Sequence, residues 1–393
     1  MFSVSRSARI VLLPAAALLL LAVAAPAAPA SVSTVTTPNP GTSNTIGGLT
    51  AFATDDVWAV GQSSSSSYSG CHGRTLTARF TGSSFAEILE TPAATPICAN
   101  VNSVSGSSSS DIWAVGFASS QRDPHLRHYN GSAWTASAGA TLPTPPAGGR
   151  SLHTTGLNAV ADLSPTNVWA VGRAMFSDSS RHTLIEHLTA GGWSLVAGPT
   201  TTGSVLNGIS AFGAGDIWAV GSQTSATGTT TLATHYDGTA WKTSATPNNN
   251  LNNELNGVAA VAGNDVWAVG DSIKNAFDGV STSRTLIEHF TGSAWSIVPS
   301  PNVGASNNVL TGVAAHAAND VWAVGYDDDH SGSVPVRKTV WMHWDGTRWS
   351  IVASPTTGDG DNTLLGVIAP AGSTDVWAWG SSTNGALVQR FTH

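Results

Sequence analysis

Asp327-Asp328-Asp329-His330 is the densest run of metal- and proton-binding side chains in the sequence. Oxygen ligands clustered this way suit Ca²⁺, with Asp327, Asp328 and Asp329 as the candidate ligands, and two opposed carboxylates could serve as acid and base on a glycosidic bond. An acidic run in a surface loop is more often merely solvated. A second set is scattered: Tyr68, His72 and Arg74, then Arg122, Asp123 and His125, then Arg150, His153, Arg181 and His182. These supply a base and an arginine that could neutralise a uronate, the needs of a polysaccharide lyase. They are equally the side chains with which a loop binds a glycan or a protein without chemistry. A third set is regular. His128, His187, His235, His289 and His343 recur at one position of a repeated segment, and Arg79 and Arg390 stand there in two further copies. A group repeated at fixed spacing meets the same neighbours in each copy, whereas a catalytic site needs an asymmetric cluster. The five histidines are therefore expected to be buried hydrogen-bonding residues.

The repeat that carries them is built on Asp-Val-Trp-Ala-Val-Gly. It stands intact or nearly so at 56–61, 111–116, 167–172, 216–221, 265–270, 320–325 and 375–380, at intervals of 49 to 56 residues. That period is close to one blade of a propeller. The unit 255–301 reads as four strands. Leu255–Ala260 is short and apolar, strand a. Val266-Trp267-Ala268-Val269 lacks alternation, as a strand buried on both faces does, and is strand b. Strand c is Leu286–Phe290 and strand d is Trp295–Val298, ended by Pro299. Asn130-Gly131, Asp237-Gly238 and Asp345-Gly346 between β-rich runs predict two-residue c–d hairpins with positive φ at both turn positions. The Asp opening each hexapeptide is expected to cap the a–b turn. The tryptophans of strands b and d are expected to pack between blades, with Phe85 and Val32 standing in for the strand d tryptophan in two copies. The last copy stops after strand c at His393, while Val32–Asn39 matches strand d and its sequel in register. The predicted fold is all-β: a seven-bladed β-propeller of four-stranded blades, its last blade closed by the N-terminal strand.

Arg6 and Arg9 precede an apolar run at 10–25, and Ala28-Pro29-Ala30 follows as a cleavage site. Residues 1–30 thus read as a secretory signal peptide, leaving 31–393 as the propeller and an extracellular, secreted location. No other run is long enough to span a bilayer. The full chain has 16 basic and 24 acidic residues, net −8, and losing the two leader arginines takes it to −10. That balance argues against nucleic acid and anionic membranes as partners.

With its Trp-Ala-Val-Gly strands and Gly-x-x-Trp hairpins, the mature chain resembles secreted bacterial propellers of this hexapeptide type. They are similar, distantly, to kelch and BNR/Ycf48-type propellers. The sialidase Ser-x-Asp-x-Gly-x-x-Trp box and the WD40 endings are absent. The resemblance implies a fold and no catalytic residue.

The long, variable b–c and d–a loops share one face, which makes that face the expected recognition surface. Cys71 and Cys98 lie on it, and in a secreted chain they are expected to form a disulfide. Strand a is rich in Ala, Gly and Ser, so the channel should be smooth and neutral. There is no nucleophile elbow, zinc spacing or phosphate loop, and no cofactor beyond Ca²⁺ is expected. The expectation is a monomeric binding or scaffold propeller for an extracellular polysaccharide, cell-wall component or protein. The alternative is a lyase or glycoside hydrolase with its site at the channel mouth.

Overall fold

The computed structural model describes residues 30–64, 73–88, 99–118, 124–142, 152–199, 202–250, 252–275, 281–330, 334–355 and 357–392. The described residues hold 28 strands and no helix, and so no helix long and apolar enough to cross a membrane. The strands form five four-stranded sheets and one eight-stranded sheet. The larger sheet is two four-stranded units joined by one parallel pairing, Thr229 with Asn252. The inner strands touch in cyclic order: Ser43–Ala53, Ala99–Ser108, Leu152–Ser164, Ser204–Gly213, Asn252–Ala262, Asn308–Ala317 and Asn362–Ile368, which returns to the first. The chain is a β-propeller, its blades numbered here from that order.

Blade 5 shows why the sequence folds this way. Its second strand, Asp265–Asn275, carries Val266, Trp267, Ala268 and Val269, all fully buried. Both faces of this strand meet a neighbouring blade, which is why hydrophobic alternation is absent. Each inner strand has a one-residue bulge against the hexapeptide strand, and the extra residue is Gly47, Asn102, Asn158, Asn207, Asn256, Thr311 or Leu365. The hexapeptide glycine lies against this bulge. A Cβ on Gly270 would stand 1.9 Å from the Glu254 carbonyl oxygen, and one on Gly116 would stand 1.7 Å from that of Asn100. The glycine is required by close backbone approach.

Blades are joined by aromatic contacts. The hexapeptide tryptophan of one blade meets the outer-strand tryptophan of the next edge-on: Trp113 with Trp193 at 5.2 Å, Trp169 with Trp241 at 5.6 Å, Trp218 with Trp295 at 5.4 Å, and Trp267 with Trp349 at 5.5 Å. Phe85 takes this place against Trp377 at 6.1 Å, and Val32 packs into the cluster around Trp322.

Closure follows the register expected from sequence. Ser31–Val35 pairs antiparallel with Gly385–Thr392, from Ser31 opposite Thr392 to Val35 opposite Val388. The c–d hairpins differ from expectation. Tyr129 pairs with Trp134 and Tyr236 with Trp241, so four residues form each loop. Only the glycines, Gly131 and Gly238, take positive φ (88° and 87°). The Asx residue instead folds its side chain back: Asn130 Oδ1 accepts from the backbone N–H groups of Ser132 and Ala133, both at 3.0 Å. That side-chain turn needs no left-handed backbone at its first residue.

Candidate functional site

The regular histidines form one structural unit per blade. His128 Nε2 lies 2.6 Å from Asp111 Oδ1, His235 2.7 Å from Asp216, His289 2.7 Å from Asp265 and His343 2.8 Å from Asp320. Each imidazole, His187 included, also stacks on its own hexapeptide tryptophan, with centroids from 3.8 Å at Trp169 to 4.4 Å at Trp113. Arg79 reaches Asp56 at 2.8 Å and Arg390 reaches Asp375 in the blades that lack the histidine. The hexapeptide aspartate was expected to cap the a–b turn. It accepts mainly from strand c, although Asp111 also accepts from Ser107 Oγ beside the a–b turn, and Asp56, Asn167 and Asp320 also take the tryptophan indole N–H. The register explains this, since Trp267 stands opposite His289 and Asp265 lies two residues before it on the same face. The imidazoles are half-buried rather than buried. In blade 3 the partner is Asn167 at 2.9 Å, and burial lowers the His187 pKa. Repetition and mutual pairing leave these groups no asymmetric chemistry.

The irregular residues sit as follows. Tyr68, Cys71, His72, Cys98, Arg122 and Arg150 fall outside the described residues, and with them the proposed disulfide; His153 falls in Leu152–Ser164. His125 is buried in Pro124–Tyr129, at the position where blades 1, 3, 4, 5 and 7 carry leucine. Burial, and then the nearby Arg127 charge, lower its pKa to about 4. Arg181 is exposed at the start of Arg181–Thr189. His182 meets Phe176 edge-on at 5.2 Å and lines an apolar groove of about 290 Å³ with Leu184, Leu195 and Pro199.

Asp327, Asp328 and Asp329 end the strand Asp320–Asp329 instead of occupying a loop. Alternation along a strand sends Asp328 to the face opposite Asp327 and Asp329. Each end carboxylate has its own cation: Asp328 pairs with Arg337 at 3.2 Å and Asp329 with Lys338. His330 turns back, its Nδ1 2.8 Å from the Asp328 carbonyl oxygen. Among the described residues no group of three or more His, Cys, Asp or Glu side chains is arranged to hold a metal, so these carboxylates do not gather as the Ca²⁺ reading required. The described candidates thus occupy blades 2, 3 and 6 and do not share one site.

The central channel brings more together. Its loop-face half is a cavity of about 380 Å³ lined by the bulge residues Asn102, Asn158, Asn207, Asn256 and Thr311, with Trp379 on the wall. No ionisable residue lines it, nor the alanine-rich other half of about 350 Å³. The asparagines tie blade to blade: Asn102, Asn158, Asn207 and Asn256 donate through Nδ2 to the carbonyl oxygens of Leu157, Leu206, Leu255 and Leu310 at 2.8–3.0 Å. Sequence reasoning missed these residues. Their signal was present, as an Asn directly after Val101, Leu157, Leu206 and Leu255 and as Trp-Ala-Trp-Gly in place of Trp-Ala-Val-Gly in the last copy.

No protein-family model matches the sequence, and no curated protein matches it. A solved structure of YCF48 bound to D1 peptide is similar in fold, with a TM-score of 0.52 at 13% identity, covering 93% of this chain and 96% of that one. The likeness is one of fold alone.

Within this propeller, two further polar groupings lie toward the loop face. Glu254 and Asp271 stand opposite each other on neighbouring strands. Glu254 Oε1 accepts from Asn207 at 2.9 Å and Ser222 at 3.3 Å. Burial pushes the Asp271 carboxyl up to about 6, with the Glu254 charge adding and bonds from Ser283 and Asn256 opposing. Between blades 1 and 2, Thr77 faces the seam with Val60, and His125 and Arg127 face it with Ala114. Thr77 Oγ1 and His125 Nε2 are buried there without a partner among the described residues.

Proposed function

We propose that this chain is a secreted binding or scaffold propeller that recognises an extracellular glycan, cell-wall component or protein through its b–c/d–a face. One observation carries the reading: the charged residues at the a–b/c–d end are repeated and paired blade by blade, while the side chains that differ between blades lie at the other end. A rigid ring presenting variable polar groups on one face is a recognition surface. The fold's similarity to a propeller solved with a bound peptide supports the same use. The leader-like residues 1–30 support export. A second reading, a glycoside hydrolase, is favoured by Glu254 beside Asp271, since a carboxyl held near 6 can donate a proton around neutral pH.

The experiment is incubation of the mature protein with insoluble plant, fungal and bacterial polysaccharides and with cell-wall fractions. Retained protein and released oligosaccharide are assayed together. Retention without release is expected. Release that is lost in Asp271→Asn would establish the hydrolase, and protein neither retained nor releasing product would end the glycan and cell-wall reading.

A further inference from the structure

We propose that the loop-face half of the channel is a binding site for one neutral pyranose unit, stacked on Trp379. This deepens the binding reading above and rests on it. Six hexapeptides carry valine at the place where blade 7 carries Trp379. In those blades the valine is fully buried between sheets. Trp379 is only half-buried and lines the cavity. Its six-membered ring lies over Gly366, where a Cβ would come within 2.2 Å of Cζ2. Gly366 pairs with Trp379 in register, so the absence of a side chain there gives the indole its place on the channel wall.

The rest of the lining selects the ligand. No charged side chain is present, so neither an anion nor a cation finds a partner. Both N–H groups of Asn158 are taken, by the Leu206 carbonyl and by Asn207 Oδ1, and Asn102 gives one of its two to the Leu157 carbonyl. What they leave for a ligand is chiefly their Oδ1 ends, which accept from no described residue, with one N–H of Asn102. A ligand for this site must therefore bring donors of its own along with an apolar face. A pyranose does both: its ring C–H groups form a flat apolar surface for the indole, and its hydroxyls donate around the rim. In ring order, blades 3 and 4 lie opposite blade 7, which sets Asn158 across the cavity from Trp379. A volume of about 380 Å³ is at the small end of ligand sites, which fits one stacked sugar ring and no long chain.

The test is saturation-transfer difference NMR of the mature protein with glucose, galactose, mannose, N-acetylglucosamine and cellobiose. Trp379→Val and Trp379→Phe are compared with the unaltered chain. Trp379→Val installs the residue of the other six blades, and an unchanged melting curve confirms that it folds. At least one sugar should show transfer to its ring C–H protons, about fivefold weaker in Trp379→Val and largely kept in Trp379→Phe. No transfer to any of the sugars, or equal transfer in Trp379→Val, overturns the proposal. Retention on insoluble polysaccharide is measured on the same samples. If no sugar shows Trp379-dependent transfer while retention persists, the loop-face reading stands and the channel site fails.

Discussion

Glu288 shows how one residue can set the pH response of a propeller. It is fully buried on strand c, facing blade 4, at the register position held by Ala78, Glu186, Thr234, Met342 and Gln389 in other blades. Burial pushes its carboxyl up to about 8, and neither carboxyl oxygen has a hydrogen-bond partner among the described residues. The folded chain therefore holds a proton there that the unfolded chain releases near 4.5. The stabilising term is complete below that pH and is lost as pH rises toward 8. Asp162, raised to about 7 by burial and then by the charge of Asp111, acts in the same direction. Glu288→Gln keeps the shape, as Gln389 shows in blade 7, and removes the titration. Thermal melts from pH 5 to pH 8 should show the unaltered chain losing on the order of 2 kcal/mol more than Glu288→Gln. Parallel curves would mean that Glu288 is not protonated in the fold.

At the scale of the element, the hexapeptide strand is the best-determined part of the molecule, and its glycine is the sharpest requirement. Gly270→Ala places a methyl carbon against the Glu254 carbonyl, on backbone that cannot rotate away without breaking the bulge. Denaturant unfolding should show a loss of more than about 2 kcal/mol. Gly213→Ala, where a Cβ meets nothing within 4 Å, should stay within about 0.5 kcal/mol. Equal effects at the two positions would refute the close-approach argument. This strand was legible in the sequence because burial on both faces leaves a continuous apolar run, and repetition multiplied the signal. The c–d turn was misjudged because Asn-Gly is shared by two-residue loops and by side-chain turns in four-residue loops. Only the register of Tyr129 against Trp134 separates the two. The partner of Asp265 was equally out of reach, since His289 lies on a different strand and joins it only through the pairing of Trp267 with His289.

At the scale of the whole molecule, the ring depends on a join between residues more than 350 positions apart. That join was legible because the last copy lacks an outer strand and residues 32–39 match one. The channel site was less so, because a cavity wall is built from one bulge residue per blade and no stretch of sequence contains it. The join also gives the global prediction. Removing residues 31–35 takes away the ladder with Gly385–Thr392, the Val35 contact with the blade 1 cluster and the Val32 contact beside Trp322. Blade 7 would then end in a strand with unpaired N–H and C=O groups, the kind of edge that recruits another chain. A chain beginning at Thr36 should melt roughly 5–10 °C lower than one beginning at Ser31 and should self-associate in light scattering at concentrations where the longer one does not. A synthetic peptide covering 31–40 should restore both properties by filling the edge in trans. If the shortened chain melts with the full one and stays monomeric, the ring is held by its aromatic seams alone, and the N-terminal strand only covers a blade that is already stable.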